Sequence, residues 1–183
     1  FVPPAEARSA VVDAAALRKR AVASALGFAD ADEKDLRELL AAFAPVFEID
    51  LSHRGGDSDR IGEVRLDSAG KPDIVTLAPT VYVRHAWTRY QGRILLQLVY
   101  SVWFASRPRE GPFDLLGGFL DGITWRVTLS PDGEPLLYDA MHSCGCYHLF
   151  FPTPRAEPLP NPPGHEQLDE TAFVPQHLPR IQP

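Results

Sequence analysis

A chain of 183 residues with 45% apolar and 23% charged content can bury a core in one domain without help from disulfides or metals, so 1–183 is read as a single domain. Its net charge of −6, from 24 acidic and 18 basic residues, argues against a general phosphate-backbone binder, which needs a basic face to release counterions. The densest basic group is Arg18-Lys19-Arg20, and no nucleic-acid partner is expected. No apolar run approaches the roughly 20 residues of a membrane-spanning helix, so the chain reads as soluble with no membrane span. The numbered chain starts at Phe1 and is rich in proline, which leans toward an exported or periplasmic location.

The predicted elements give an α+β fold: two N-terminal helices packed on a mainly antiparallel sheet built from hairpins, finished by a Pro-rich C-terminal arm. The helical part covers about 5–45. An Ala-rich stretch from Ala5 to Leu26, closed by Gly27, forms a first helix with a thin apolar stripe (Val12, Leu17, Val22, Leu26). Asp30 and Glu33 suggest a capping box for a second helix, in which Leu36, Leu39, Leu40 and Phe43 recur at helical spacing until Pro45.

The sheet part covers about 47–151, in roughly four to six strands. Phe47 to Leu51 reads as a short strand, and His53 to Gly62 as a polar loop. That loop has the oxygen-rich look of a calcium site but lacks the bidentate Glu such a loop requires. Asp67-Ser68-Ala69-Gly70 reads as a turn. Val81–Tyr90 and Arg93–Ala105 flank Gln91-Gly92 as a hairpin. A two-residue turn there sets Trp87 opposite Leu96, His85 opposite Leu98 and Val83 opposite Tyr100, with His85 on the core face.

A second hairpin joins Gly122–Ser130 to Glu134–Met141 through Pro131-Asp132-Gly133, which suits a type I turn closed by a glycine bulge. Counting from that turn places Val127 opposite Leu137 and Trp125 opposite Asp139, so Asp139 falls on the apolar face. A carboxylate there is costly unless paired. From Pro152 to 183 the chain is proline-rich, and Phe173, Val174, Leu178 and Ile181 give it apolar groups with which to pack as an arm.

The chemistry concentrates in Asp139 to His148. The two cysteines, Cys144 and Cys146, are separated by one glycine and cannot form the framework of a disulfide-rich scaffold. His142, Cys144, Cys146 and His148 alternate as soft donors. Alternate side chains on a straight strand stand ~6–7 Å apart, so a turn at Gly145 is needed to gather them. The first expectation is a zinc- or copper-binding site formed by His142, Cys144, Cys146 and His148, possibly catalytic.

The second is a cysteine-dependent enzyme: Cys144 or Cys146 as nucleophile, His142, His148 or His85 as base, and Asp139 orienting the imidazole. In a third use the cysteines close a small redox-active disulfide. The plain alternative is a pair of packed hydrophobes. A last candidate is a binding module that uses the Arg-aromatic residues of the strands (Arg84, Arg89, Arg93 and Arg126 beside Tyr82, Trp87, Tyr90 and Tyr138) or the Pro-rich arm.

Overall fold

The computed structural model describes residues 19–20, 23–24, 32–51, 57–109, 111–115, 117–159 and 172–179. Among them stand one α-helix longer than a turn and two antiparallel sheets, so the fold is mainly β and not a two-helix layer on a sheet. The first expected helix falls almost wholly outside the described residues. The buried cluster explains the weighting: Leu39 is its one helical member, while strands supply Leu96, Leu98, Tyr100, Trp125, Val127, Leu129 and Tyr138.

Helix α1 spans Glu33–Ala42. Its N-cap is Asp32, which accepts the Asp35 backbone N–H at 2.8 Å; the expected cap, Asp30, lies outside the described residues. Leu36, Leu40 and Phe43 pack with Leu39 against the sheet, as their spacing requires. After Pro45 the chain does not form the expected Phe47–Leu51 strand, although Phe47 still lies against the core.

Strands β1 (Glu63–Leu66) and β2 (Pro72–Val75) form a small hairpin about the Asp67–Gly70 turn. Each has only four residues, too few for a periodic signal. The main sheet runs in sequence order: β3 (Tyr82–Tyr90), β4 (Arg93–Arg107), β5 (Gly118–Leu129), β6 (Pro135–His142) and β7 (Leu149–Pro152). Gln91 and Gly92, both at positive φ, make the tight turn between β3 and β4. The pairs Trp87–Leu96, His85–Leu98 and Val83–Tyr100 follow as expected.

The β5–β6 pairing departs from the expected register. Leu129 pairs with Pro135, but Thr128 pairs with Leu137, leaving Leu136 as an extra residue. Such a bulge sends every later side chain of that strand to the opposite face. Tyr138 therefore enters the core beside Val127, and Asp139 lies opposite Arg126 rather than Trp125. Thr153 caps the irregularity, its hydroxyl donating to the carbonyls of Pro135 and Leu136 at 3.0 and 2.9 Å. One face of the sheet meets the core cluster, and the opposite face carries Gln97–Thr128 and Ser101–Thr124 contacts at 3.0 and 3.1 Å among buried Leu95 and Val99.

The described part of the arm, 172–179, lies along β7. Phe150 N–H donates to the Phe173 carbonyl at 2.9 Å, Leu178 N–H donates to the Pro152 carbonyl at 2.9 Å, and the Leu178 side chain joins the core. Among the described residues no helix is long and apolar enough to cross a membrane.

Candidate functional site

Strand β5 begins beyond the end of β6, because Ile123 pairs with His142 and residues 118–122 have no partner in β6. The turn after β6 fills that space. Ser143 N–H donates to the Gly122 carbonyl at 2.9 Å, His142 N–H to Cys146 O at 3.1 Å, and Gly145 N–H to His142 O at 2.8 Å. Gly145 sits at φ +82°, the left-handed conformation that glycine adopts without penalty. Gly122 is required for a different reason. A Cβ there would come 2.9 Å from the Val102 carbonyl oxygen and closer still to Ser143 Oγ, so only glycine lets the turn press against β5.

The reversal at Gly145 brings the sulfurs together: Cys144 and Cys146 form a disulfide, with Cα atoms 5.4 Å apart, inside the ordinary range for such a bridge. Cys144 is exposed and Cys146 half-buried. His142 Nδ1 lies 3.4 Å from Cys144 Sγ, and the Cys146 backbone N–H donates to the same sulfur at 3.3 Å. The other ring nitrogen of His142, Nε2, meets Asp121 Oδ1 at 2.6 Å. Nε2 therefore carries the proton donated to the carboxylate, which in the neutral ring leaves the Nδ1 lone pair directed at sulfur. The Tyr147 ring stands edge-on to the imidazole, centroids 6.2 Å apart.

A second cluster occupies the sheet face opposite the core cluster. Asp139, only 2% exposed, accepts on Oδ1 from Arg126 Nε at 2.8 Å and His148 Nε2 at 2.9 Å, with Arg126 Nη2 at 2.7 Å. The His148 ring packs on Phe150, centroids 4.0 Å apart. A buried carboxylate needs this kind of paired and hydrogen-bonded surrounding. Asp139 thus resolves the anomaly seen in the sequence by leaving the apolar face altogether.

The expected site residues therefore separate. Cys144, Cys146 and His142 come together; Asp139 and His148 form a different cluster on the other face. His85 lies exposed on β3, separated from β6 by β4 and β5, and takes no part. The residue that orients His142 is Asp121, not Asp139. The trace it left in the sequence is a lone carboxylate between Leu120 and Gly122 at the start of a strand, and only the corrected register sets it beside His142.

The zinc or copper reading is overturned. Among the described residues no group of three or more His, Cys, Asp or Glu side chains is placed to hold a metal ion. The two sulfurs are bonded to each other, and His142 and His148 are engaged by different carboxylates. The Arg-aromatic set does not form one surface either, since Tyr138 is buried in the core while Arg126 projects from the other face. No protein-family model matches the chain, and comparisons with curated proteins and with solved structures find no match.

Proposed function

We propose that the chain is a thiol–disulfide exchange protein whose reactive pair is Cys144–Cys146. The observation that carries this reading is the single imidazole of His142 between the Asp121 carboxylate and the Cys144 sulfur. In the dithiol state the Cys144 thiol passes its proton to His142 Nδ1. Asp121 stabilises the imidazolium that forms, and the Cys146 N–H supports the thiolate.

The Cys144 thiolate attacks one sulfur of a substrate disulfide, forming a mixed disulfide and releasing the first substrate thiolate. Cys146, as thiolate, then attacks Cys144 Sγ, closing the internal disulfide and releasing the second. Two electrons pass from the protein dithiol to the substrate, and two protons complete the two product thiols. The reverse sequence oxidises a substrate dithiol, the direction being set by the partners' relative potentials.

Loop entropy argues against a purely structural bridge. The bond closes a loop over one intervening residue, so in the chain-entropy picture it restricts the unfolded chain little, contributing less than about 2 kcal/mol. It also sits at an exposed turn, where it staples no distant elements.

Equilibration in glutathione buffers of graded potential, followed by acid quench and thiol alkylation, tests the reading. The pair is expected to pass from disulfide to dithiol within the buffer range, and His142→Ala is expected to slow the approach to equilibrium about tenfold or more. A bond that stays closed, or thiols that stay open, across every buffer would overturn it.

A further inference from the structure

The surroundings of the Cys144–Cys146 turn carry an inference that rests on the redox reading and specifies its substrate. Large apolar side chains are exposed at the same end of the sheet. Asp121 is flanked in β5 by Phe119, 62% exposed, and Ile123, which pairs with His142. On the other side of the imidazole stands Tyr147, 60% exposed.

Scattered single hydrophobes on a surface are ordinary, but three that flank one Asp–His pair beside a reactive sulfur are the usual mark of a binding surface. The Asp121–His142 pair at its centre is satisfied internally. The chain as a whole is acidic, at −6, which disfavours approach of small anionic thiols such as glutathione.

We infer that the substrate of this disulfide is a cysteine held in an extended, apolar polypeptide segment, whose flanking side chains lie on Phe119, Ile123 and Tyr147 while its sulfur reaches Cys144. The occupant must carry a thiol or disulfide, since that is the chemistry the neighbouring sulfur performs, and apolar flanking residues match the exposed Phe119, Ile123 and Tyr147 side chains. An unfolded or partly folded protein exposes such segments, whereas a folded protein buries them.

The test uses three thiol probes on the oxidised protein: a short peptide with Cys between Leu and Phe, one with Cys between Asp and Ser, and glutathione. Disulfide opening is followed by mass spectrometry. The apolar peptide is expected to react about tenfold faster than the other two. A Phe119→Ser/Tyr147→Ser double variant should bring the apolar peptide's rate down to that of the Asp-Cys-Ser peptide.

A Cys→Ser version of the apolar peptide, which cannot exchange, should shift NMR resonances at Ile123 and Tyr147 in the wild-type protein. Equal rates for the three thiols together with no resonance shifts would overturn the inference. Resonance shifts with no exchange by any thiol would retain the apolar surface and discard the redox reading instead.

Discussion

The Asp121 carboxylate and the His142 imidazole, contributed by neighbouring strands, meet at 2.6 Å and orient the ring so that its second nitrogen faces Cys144. If this pair tunes the sulfur, reduced Cys144 should alkylate with a pH midpoint below the ordinary thiol value of about 8.5. His142→Ala should return the midpoint to that value, and Asp121→Asn should land between the two. Each unit of midpoint corresponds to about tenfold in thiolate at neutral pH. Iodoacetamide rates measured from pH 5 to 10 check the order; identical profiles for the three proteins would remove the relay.

Asp139 is the structural counterpart of Asp121. Replacing it with Ala strands Arg126 and His148 without their carboxylate. Breaking a buried charge pair costs about 3–5 kcal/mol. We expect about 3 kcal/mol, at the low end, because the Arg126 and His148 side chains keep partial contact with water. Urea unfolding of Asp139→Ala measures the loss, while glutathione exchange by the still-folded variant should remain near wild type. A cost below about 1 kcal/mol, the level of a surface pair, would show that the cluster adds little to the fold.

Among the described residues of the arm, 172–179, one side chain is buried. Leu178 is 5% exposed and belongs to the core cluster, whereas Phe173 is largely exposed. Leu178→Ala should destabilise by about 2–5 kcal/mol, with Phe173→Ala near neutral. Thermal unfolding separates the two, and limited proteolysis should cut the Leu178→Ala arm first. Equal and small effects from both would mean that the arm is not anchored through Leu178.

Two buried phenols set the alkaline limit. Burial raises the Tyr138 hydroxyl to about 12, with nearby Glu134 adding to the rise. Burial raises Tyr100 further, assisted by Tyr138, and the Tyr100 hydroxyl donates to the Leu40 carbonyl at 2.8 Å. A raised folded-state value favours the neutral phenol, so this stabilisation is complete below the unfolded value of about 10. It is lost as pH climbs from there toward about 12. Stability should therefore fall steeply across that interval, with tyrosinate absorbance appearing together with unfolding. Tyr138→Phe should flatten the slope, and an unchanged slope would remove Tyr138 from the account.

Local chemistry fixed much of this molecule in advance. Gln91-Gly92 has the residues for a two-residue hairpin turn, so the β3–β4 register was readable residue by residue down to Val83–Tyr100. The spacing of Leu36, Leu39, Leu40 and Phe43 likewise determined which face of α1 meets the sheet, and Cys144-Gly145-Cys146 marked the turn that carries the disulfide. A turn residue or a period of 3.6 or 2 acts over a few neighbours, and the chain states it directly.

What tertiary structure alone decided was which carboxylate serves which histidine. The bulge at Leu136 is invisible to alternation, yet it moves Tyr138 into the core and hands Asp139 to Arg126 and His148. His142 is thereby left to Asp121, from a strand whose start no sequence period marked. Core packing selects that register, because Tyr138 gains by burial beside Val127 while Asp139 is kept from the core face beside Trp125, where a carboxylate would lose. The functional pairing follows from the register.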